Sequence, residues 1–261
     1  MNSTHFVIEP HGITVLYSRN MIFIALQVEH IIFRERNMTD NDWYYVTKDE
    51  YQPVKNHIDS LIGQAQRILR QQGLTFQIHS IGSGRRKLIT AKRNSNKGFD
   101  FDYNLEIKYC PKDSNPAQIK NMVREAFRTV LKNTRFKDPD DSTSVLTINC
   151  VDTEHSKIIH GFDLALIYYD QNGNLHYIRR DPNGSYVWAE RGYRFDDRAY
   201  VKEIKEYYVD GWGLIRDEYL KLKNNNNDPN KRSFDLYTEA VMNVHYWMQQ
   251  EIEQYDEDED D

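Results

Sequence analysis

The stretch Ile78-HSIGSGRRKLITAKRNSNKGFDFDYNLE-Ile107 carries three features in close succession. An apolar run ends in Gly82-Ser83. A basic segment without a single acid follows, with Arg85, Arg86, Lys87, Lys92, Arg93 and Lys97. Two aspartates, Asp100 and Asp102, then alternate with Phe99, Phe101 and Tyr103. Alternation is the period of a strand, and it turns Asp100 and Asp102 to one face. Two carboxylates so placed repel unless one is protonated or a cation lies between them.

The chain around this stretch has 261 residues, enough for one large core or two modest ones, with the apolar and charged fractions of a globular protein. Its formal net charge is -6, and the last six residues, Asp256 to Asp261, are all acidic, so the remainder is neutral. Six adjacent like charges repel, and 256–261 is expected to be a disordered acidic tail. Duplex nucleic acid is not an indicated partner of a neutral body. Met21 to Phe33 is too short and too interrupted to cross a bilayer, and no basic segment leads into an apolar one, so no membrane association and a cytoplasmic location are expected. Cys110 and Cys150 have no metal-ligand spacing and read as buried thiols.

Residues Phe6 to Phe33 fit strands or a helix equally, and the first 50 residues stay unplaced. Thr47 and Glu50 have capping-box spacing, and apolar residues from Ile58 to Leu69 then repeat at helical intervals up to Gly73. "LTFQIHSI" and "FDFDYNLEIKY" predict strands. Asn115-Pro116 opens a helix with one apolar stripe from Ile119 to Leu131. Strands return in "SVLTINCV", "IIHGFDLALIYYD" and "NLHYIRRD", the last two joined by a hairpin turn at 171–174. After Asp181-Pro182 the pattern becomes helical, over roughly 197–208, 212–223 and 235–254. The expected architecture is an α/β (α+β) domain over 1–185 and a helical domain over 186–255.

A hard divalent cation such as Mg²⁺ relieves the repulsion between Asp100 and Asp102, because it prefers carboxylate oxygens while keeping positions open for water and substrate phosphates. Gly82 allows close backbone approach, and a helix opening behind it would aim free N–H groups and the Ser83 hydroxyl at phosphate oxygens. This is not a Walker A loop, since the second glycine and the Gly-Lys-Ser/Thr are absent. Asp163 sits among Phe162, Leu164, Ala165, Leu166 and Ile167, where a charge is costly to bury unless it is paired or metal-bound. The alternative for Asp163 is an aspartate that merely opens a strand. Of the basic stripe, Arg85 and Lys87 are the candidates to touch a triphosphate.

In this order, Ile81-Gly82-Ser83, Phe99-Asp100-Phe101-Asp102-Tyr103 and Phe162-Asp163-Leu164 resemble the catalytic pattern of the DNA polymerase β-like nucleotidyltransferase superfamily. The pattern is similar to that of the bacterial cyclic GMP-AMP synthase-like enzymes. Sixteen residues separate Ser83 from Asp100, somewhat more than is usual there. The resemblance covers about 75 to 170. It implies a nucleotidyltransferase mixed sheet with flanking helices and a C-terminal helical lobe. It also implies an NTP substrate and two Mg²⁺ (or Mn²⁺) ions on Asp100, Asp102 and Asp163, with Asp163 helping to deprotonate a hydroxyl acceptor. The segment "YLKLKNNNNDPNKRSFDLYTEAV" resembles the place where a helix-borne lysine and a later serine reach the triphosphate, which would be Lys221 or Lys223, with Ser233. Solvated lysines and a helix cap are the alternative for that segment.

Tyr186, Trp188, Tyr208 and Trp212 are candidates to stack on a base in a cleft between lobes, with core packing as the alternative. Tyr103 is expected on the other face of the sheet or at its edge, and the nine histidines, His160 included, are assigned nothing. Two other functions compete. One is a nucleotide-sugar glycosyltransferase using Asp-x-Asp, which has no need of the Gly-Ser turn or Asp163. The other is a catalytically silent nucleotide-binding or partner-binding module, which has no need to hold three repelling anions together. The acceptor, whether nucleotide, RNA end, protein or small molecule, is left open.

Overall fold

The computed structural model describes residues 5–9, 12–16, 42–192 and 195–259. The chain falls into two compact units, Met1–Asp42 and Trp43–Asp261, so the boundary expected near residue 185 lies inside the second unit. In the first unit, β1 (His5–Glu9) and β2 (Gly12–Leu16) pair antiparallel with Glu9 opposite Gly12. The run Met21 to Phe33 lies outside the described residues. Among the described residues no helix is long and apolar enough to cross a membrane.

In the second unit, α1 (Lys48–Gln71) begins at the predicted capping box, in which Thr47 and Glu50 satisfy each other's backbone N–H groups. Of its apolar positions, Ile58, Leu61, Ile62, Ala65 and Leu69 are buried, and Ile68 is half-buried against the same core. The chain next runs through β4 (Thr75–Ile81), the short helix α2 (Gly82–Arg86) and β6 (Lys97–Tyr109). Two three-residue strands, β3 (Trp43–Tyr45) and β5 (Thr90–Lys92), form a separate antiparallel pair. Helix α3 (Pro116–Leu131) starts at Asn115 with a capping box to Gln118. After β7 (Asp140–Asp141) come β8 (Leu146–Asp152), β9 (Lys157–Tyr169) and β10 (Leu175–Arg180).

One strand was not foreseen. β11 (Tyr186–Glu190) follows Asp181-Pro182 where helices were expected, and it pairs antiparallel with β10. Its five residues, four of them apolar in an unbroken run, show no apolar-polar alternation that would mark a strand, and none is fully buried. The helical part then consists of α4 (Arg198–Tyr207), α5 (Gly211–Asn225) and α6 (Ser233–Glu259). Asp256 to Glu259, expected in a disordered tail, continue α6. A helix already nucleated by a buried face, here Leu236 to Met248, adds each further residue at little cost. Asp260 and Asp261 lie outside the described residues.

The main sheet is mixed. β6 and β9 lie side by side and parallel, with Asp102 opposite Asp163. β4 pairs antiparallel with β6, while β8 and then β10 occupy the other edge of β9. Alternation sends Phe101, Tyr103 and Leu105 of β6, and Phe162, Leu164 and Leu166 of β9, to one face, where they are almost fully buried beneath α1 and α3. Tyr103 is on that face as expected, and its hydroxyl donates to Asp59 at 2.9 Å. The polar face is left to the aspartates. Cys150 is buried and Cys110 is half-buried, both as free thiols.

A buried ionic cluster ties α3 to β7, β10 and β11. Lys120, 3% exposed, lies 2.7 Å from Asp141 and donates to the Ser142 carbonyl at 3.0 Å. Arg180, Arg124 and the Tyr186 hydroxyl crowd the same carboxylate, at 3.3 and 3.6 Å for the two arginines. Burial opposes its ionisation, yet Lys120 and Tyr186 hold Asp141 below the usual carboxylate range. Burial likewise pulls the Lys120 ammonium below its ordinary value, with Asp141 working against it. Asp141→Ala leaves that ammonium buried without its closest anion, and should cost about 3–5 kcal/mol in urea unfolding. A loss under about 1 kcal/mol would mean that the buried charge finds other compensation.

Candidate active site

The parallel pairing of β6 with β9 assembles the three predicted carboxylates. Asp102 and Asp163 are direct register partners, so their side chains leave the sheet on the same face, and Asp100 follows one pleat away. Opposite Asp100 stands Gly161, whose missing side chain keeps that face open. A Cβ there would meet Asn149 Oδ1 at 2.5 Å. Thr147 on β8 is the other register partner of Asp163, and its hydroxyl donates to Asp163 Oδ1 at 2.6 Å. Asp163 holds its proton more readily than an ordinary aspartate, because of burial first and then the Asp100 charge, with Thr147 opposing both. The idea that Asp163 merely opens a strand is thus corrected, since it lies in the middle of β9 with a partner on each side.

The Gly-Ser turn lies against these acids. Gly82 adopts a left-handed φ of 60° at the start of α2, and a Cβ on it would stand 2.3 Å from Asp102 Oδ2. Only glycine lets the turn come this close to the carboxylate without displacing it. Behind the turn opens a cleft of about 510 Å³, lined by Gly82, Ser83, Asp100, Asp102 and Gly161 and closed by the helical lobe. Asp163 sits in the sheet beside the cleft and does not line it.

Two of the predicted phosphate contacts lie elsewhere. Arg85 and Lys87 are exposed and do not line the cleft, whereas Arg86 does. The reason is helical phase. Ser83 and Arg86 are three residues apart on α2 and share a face, while Lys87 is the left-handed cap, with φ 58° and a carbonyl that accepts from Arg216 at 3.4 Å. The same rule separates Lys221 from Lys223. Lys223 lines the cleft, whereas Lys221, 50% exposed, pairs with Glu218 at 2.9 Å and lies over the Trp247 ring. Ser233 does line the cleft.

Lys223 is 8% exposed, donates to Thr90 Oγ1 at 2.6 Å, and has its ammonium 3.8 Å from the Trp43 ring centroid. Burial lowers its pKa to about 8, with the Asp100 charge acting in the other direction. The aromatic walls of the cleft are Trp43, Phe99, Tyr219, Phe234 and Tyr237, none of them among the rings anticipated to stack on a base. Tyr186 belongs to the Asp141 cluster, Trp188 packs edge-on to Tyr168 at 4.7 Å, and the Tyr208 hydroxyl donates to Glu251 at 2.9 Å. Trp212 lines a second cavity. His160 packs against Phe99 and Phe136, and burial, then His57 and Arg135, lower it to about 4, which keeps it neutral.

Among the described residues no three His, Cys, Asp or Glu side chains stand close enough to form a ready metal cage. The donor chemistry still fits a hard divalent ion, since the carboxylates share one face and Asp100 raises the proton affinity of Asp163 by repulsion. Like charges hold apart until a cation draws them in.

No family model matches the sequence, and no curated protein matches it significantly. Solved structures of Vibrio cholerae DncV are similar to the chain. The GTP-bound form has 12% identity and a TM-score of 0.47, over 77% of this chain and 52% of that one. DncV cyclic AMP-GMP synthase with the linear intermediate 5' pppA(3',5')pG has 14% identity and a TM-score of 0.47, over 77% and 54%. Escherichia coli MS115-1 CdnC with ATP has 16% identity and a TM-score of 0.42, over 74% and 59%. The chain thus spans about half the length of these DncV structures.

Proposed function

We propose that the chain is a metal-dependent nucleotidyltransferase that moves a nucleoside monophosphate from an NTP to a hydroxyl and releases pyrophosphate. One observation carries this reading: Asp102 and Asp163, 61 positions apart in sequence, are partners across a parallel strand pair, with Asp100 one pleat away and the Gly82-Ser83 turn pressed against Asp102. A binding module has no use for three anions gathered at such cost, and a nucleotide-sugar enzyme has no use for the turn.

Asp100, Asp102 and Asp163 would hold two Mg²⁺ or Mn²⁺ ions, which when bound neutralise phosphate charge and polarise the reacting oxygens. Ser83 and the backbone N–H groups at the start of α2 cradle phosphate oxygens. Arg86 and Lys223 face the cleft and offset the charge of the triphosphate tail. Trp43, Tyr219 and Tyr237 provide flat surfaces for a base. Thr147 occupies Asp163 Oδ1, so Oδ2 is the atom that takes the proton of the acceptor hydroxyl. A bond forms from the acceptor oxygen to the α-phosphorus, and the bond from that phosphorus to the bridging oxygen breaks, so that the electron pair leaves with pyrophosphate. The acceptor is sorted by incubating the protein with the four labelled NTPs and Mg²⁺ or Mn²⁺ and resolving the products. Label in a cyclic or linear oligonucleotide, in the protein itself or in added RNA each identifies a different acceptor. NTP binding without pyrophosphate release over long incubation would overturn the enzymatic reading in favour of a silent module.

Lys223 gives the reaction a pH signature. It is cationic below pH about 8 and neutral above, so affinity for the triphosphate should fall as pH rises through and beyond that value. A bound phosphate moves the midpoint upward by favouring the charged form. In Lys223→Arg, which stays charged, the NTP dissociation constant at pH 7 and pH 9.5 should differ several-fold less than in the parent. Equal pH dependence in both proteins would remove Lys223 from the phosphate site.

A further inference from the structure

A second cavity, of about 650 Å³, opens between α2 and the helical lobe, and it holds the Arg85 that the sequence had assigned to the triphosphate. It shares Arg86 and Tyr237 with the cleft, so these two side chains are the wall between the two spaces. Arg86 is held in that wall from three sides. Its guanidinium lies 3.4 Å from Asp197, 4.4 Å from the Tyr237 ring centroid and 5.4 Å from that of Phe234, and the Tyr237 hydroxyl donates to the same Asp197 oxygen.

The cavity is cationic. Arg198 is neutralised at 2.7 Å by Asp196 outside it, which leaves Arg85, Arg86, Lys202 and Lys205 against two acids, Asp197 and Glu206. Arg85 has no ion pair among the described residues, and Lys202 reaches Glu206 only at 3.7 Å with both side chains largely exposed. That contact is weak in water. Two excess positive charges, one of them on an unpaired guanidinium, suit a compact anion with at least two charges and tetrahedral oxygens.

We infer that this cavity is the exit site for pyrophosphate, which leaves the cleft past Arg86. The inference rests on the nucleotidyl transfer proposed above, because that reaction forms pyrophosphate at the Gly82-Ser83 turn, at the other end of the five-residue helix that carries Arg86. The anion exchanges the cations of the cleft for those of the second cavity, and Arg86, common to both, never loses an anionic partner. Asp197 holds the guanidinium between departures. No bond is made or broken in the transfer.

The test uses the full chain, inorganic pyrophosphate as probe and a chelator to remove divalent ions, so that the carboxylates of the cleft repel the probe. Titration calorimetry should show pyrophosphate binding in the parent, at least about tenfold weaker binding in Lys202→Glu/Lys205→Glu, and unchanged binding in Lys112→Glu, a charge reversal at an exposed position outside the cavity. Lys202 and Lys205 are exposed on α4, and thermal unfolding verifies that the double variant folds. In turnover with Mg²⁺ and NTP, the double variant should bind NTP as the parent does but release pyrophosphate more slowly after the first turnover. Equal binding in parent and double variant, equal loss in the Lys112 control, or no metal-free binding would overturn the exit site. Metal-free binding that depends on Lys202 and Lys205, without pyrophosphate formation from any NTP, would instead overturn the nucleotidyl transfer and leave an anion site standing.

Discussion

Asp100→Asn/Asp102→Asn should release pyrophosphate from NTP at least about 10³-fold more slowly than the parent, while folding normally. Phosphoryl transfers of this kind owe most of their rate to positioning and charge stabilisation, and each lost ligand removes part of both. The substitution keeps shape and removes two negative charges from a face where Asp100 already raises the proton affinity of Asp163. Thermal stability without metal should therefore hold or rise, because repulsion is relieved. Activity and stability moving in opposite directions distinguishes a functional cluster from a structural one. If the double variant released pyrophosphate as fast as the parent, the carboxylates would have no part in the chemistry.

Gly82→Ala should lower turnover by about 10²-fold with NTP affinity and fold largely kept. The new methyl would start 2.3 Å from Asp102 Oδ2, so the carboxylate or the turn has to shift. The left-handed φ of 60° adds about 1–2 kcal/mol of strain for any residue with a Cβ. Gly84→Ala is the control. Its Cβ would meet Phe101 and Ser80 at 3.4 Å, an ordinary contact, and turnover should stay within a few-fold of the parent. Steady-state kinetics of the two variants beside their circular dichroism decides the matter. Equal loss in both would assign the effect to helix α2 as a whole.

Much of this arrangement was legible in the sequence because it depends on period. The alternation from Phe99 to Tyr103 and from Phe162 to Leu164 gave the strands and the common face of Asp100 and Asp102, and the Asn115-Pro116 cap gave the start of α3, whereas a place for Asp163 beside them was implied only by the family resemblance. The phase of short helices was the weak point. The candidates Arg85 and Lys87 missed the three-residue step from Ser83 that brings Arg86 to the cleft, and the two-residue step between Lys221 and Lys223 turns them to different faces. Trp43 was out of reach for another reason. It comes to the cleft through the β3–β5 pair and the bond of its N–H to Asn224, 181 positions away, and no local pattern announces such a contact.

The parallel pairing of β6 with β9 has a consequence for folding. A hairpin could not bring Asp102 and Asp163 together, because a parallel pair demands a crossover, here through α3 and β8. A slip of β9 by a single residue would carry Asp163 into the apolar layer and expel Phe162 and Leu164 into water. The three carboxylates therefore come together only once the crossover and the register of β9 are complete. A ligand that needs all three carboxylates would add its binding free energy only to molecules that have finished folding.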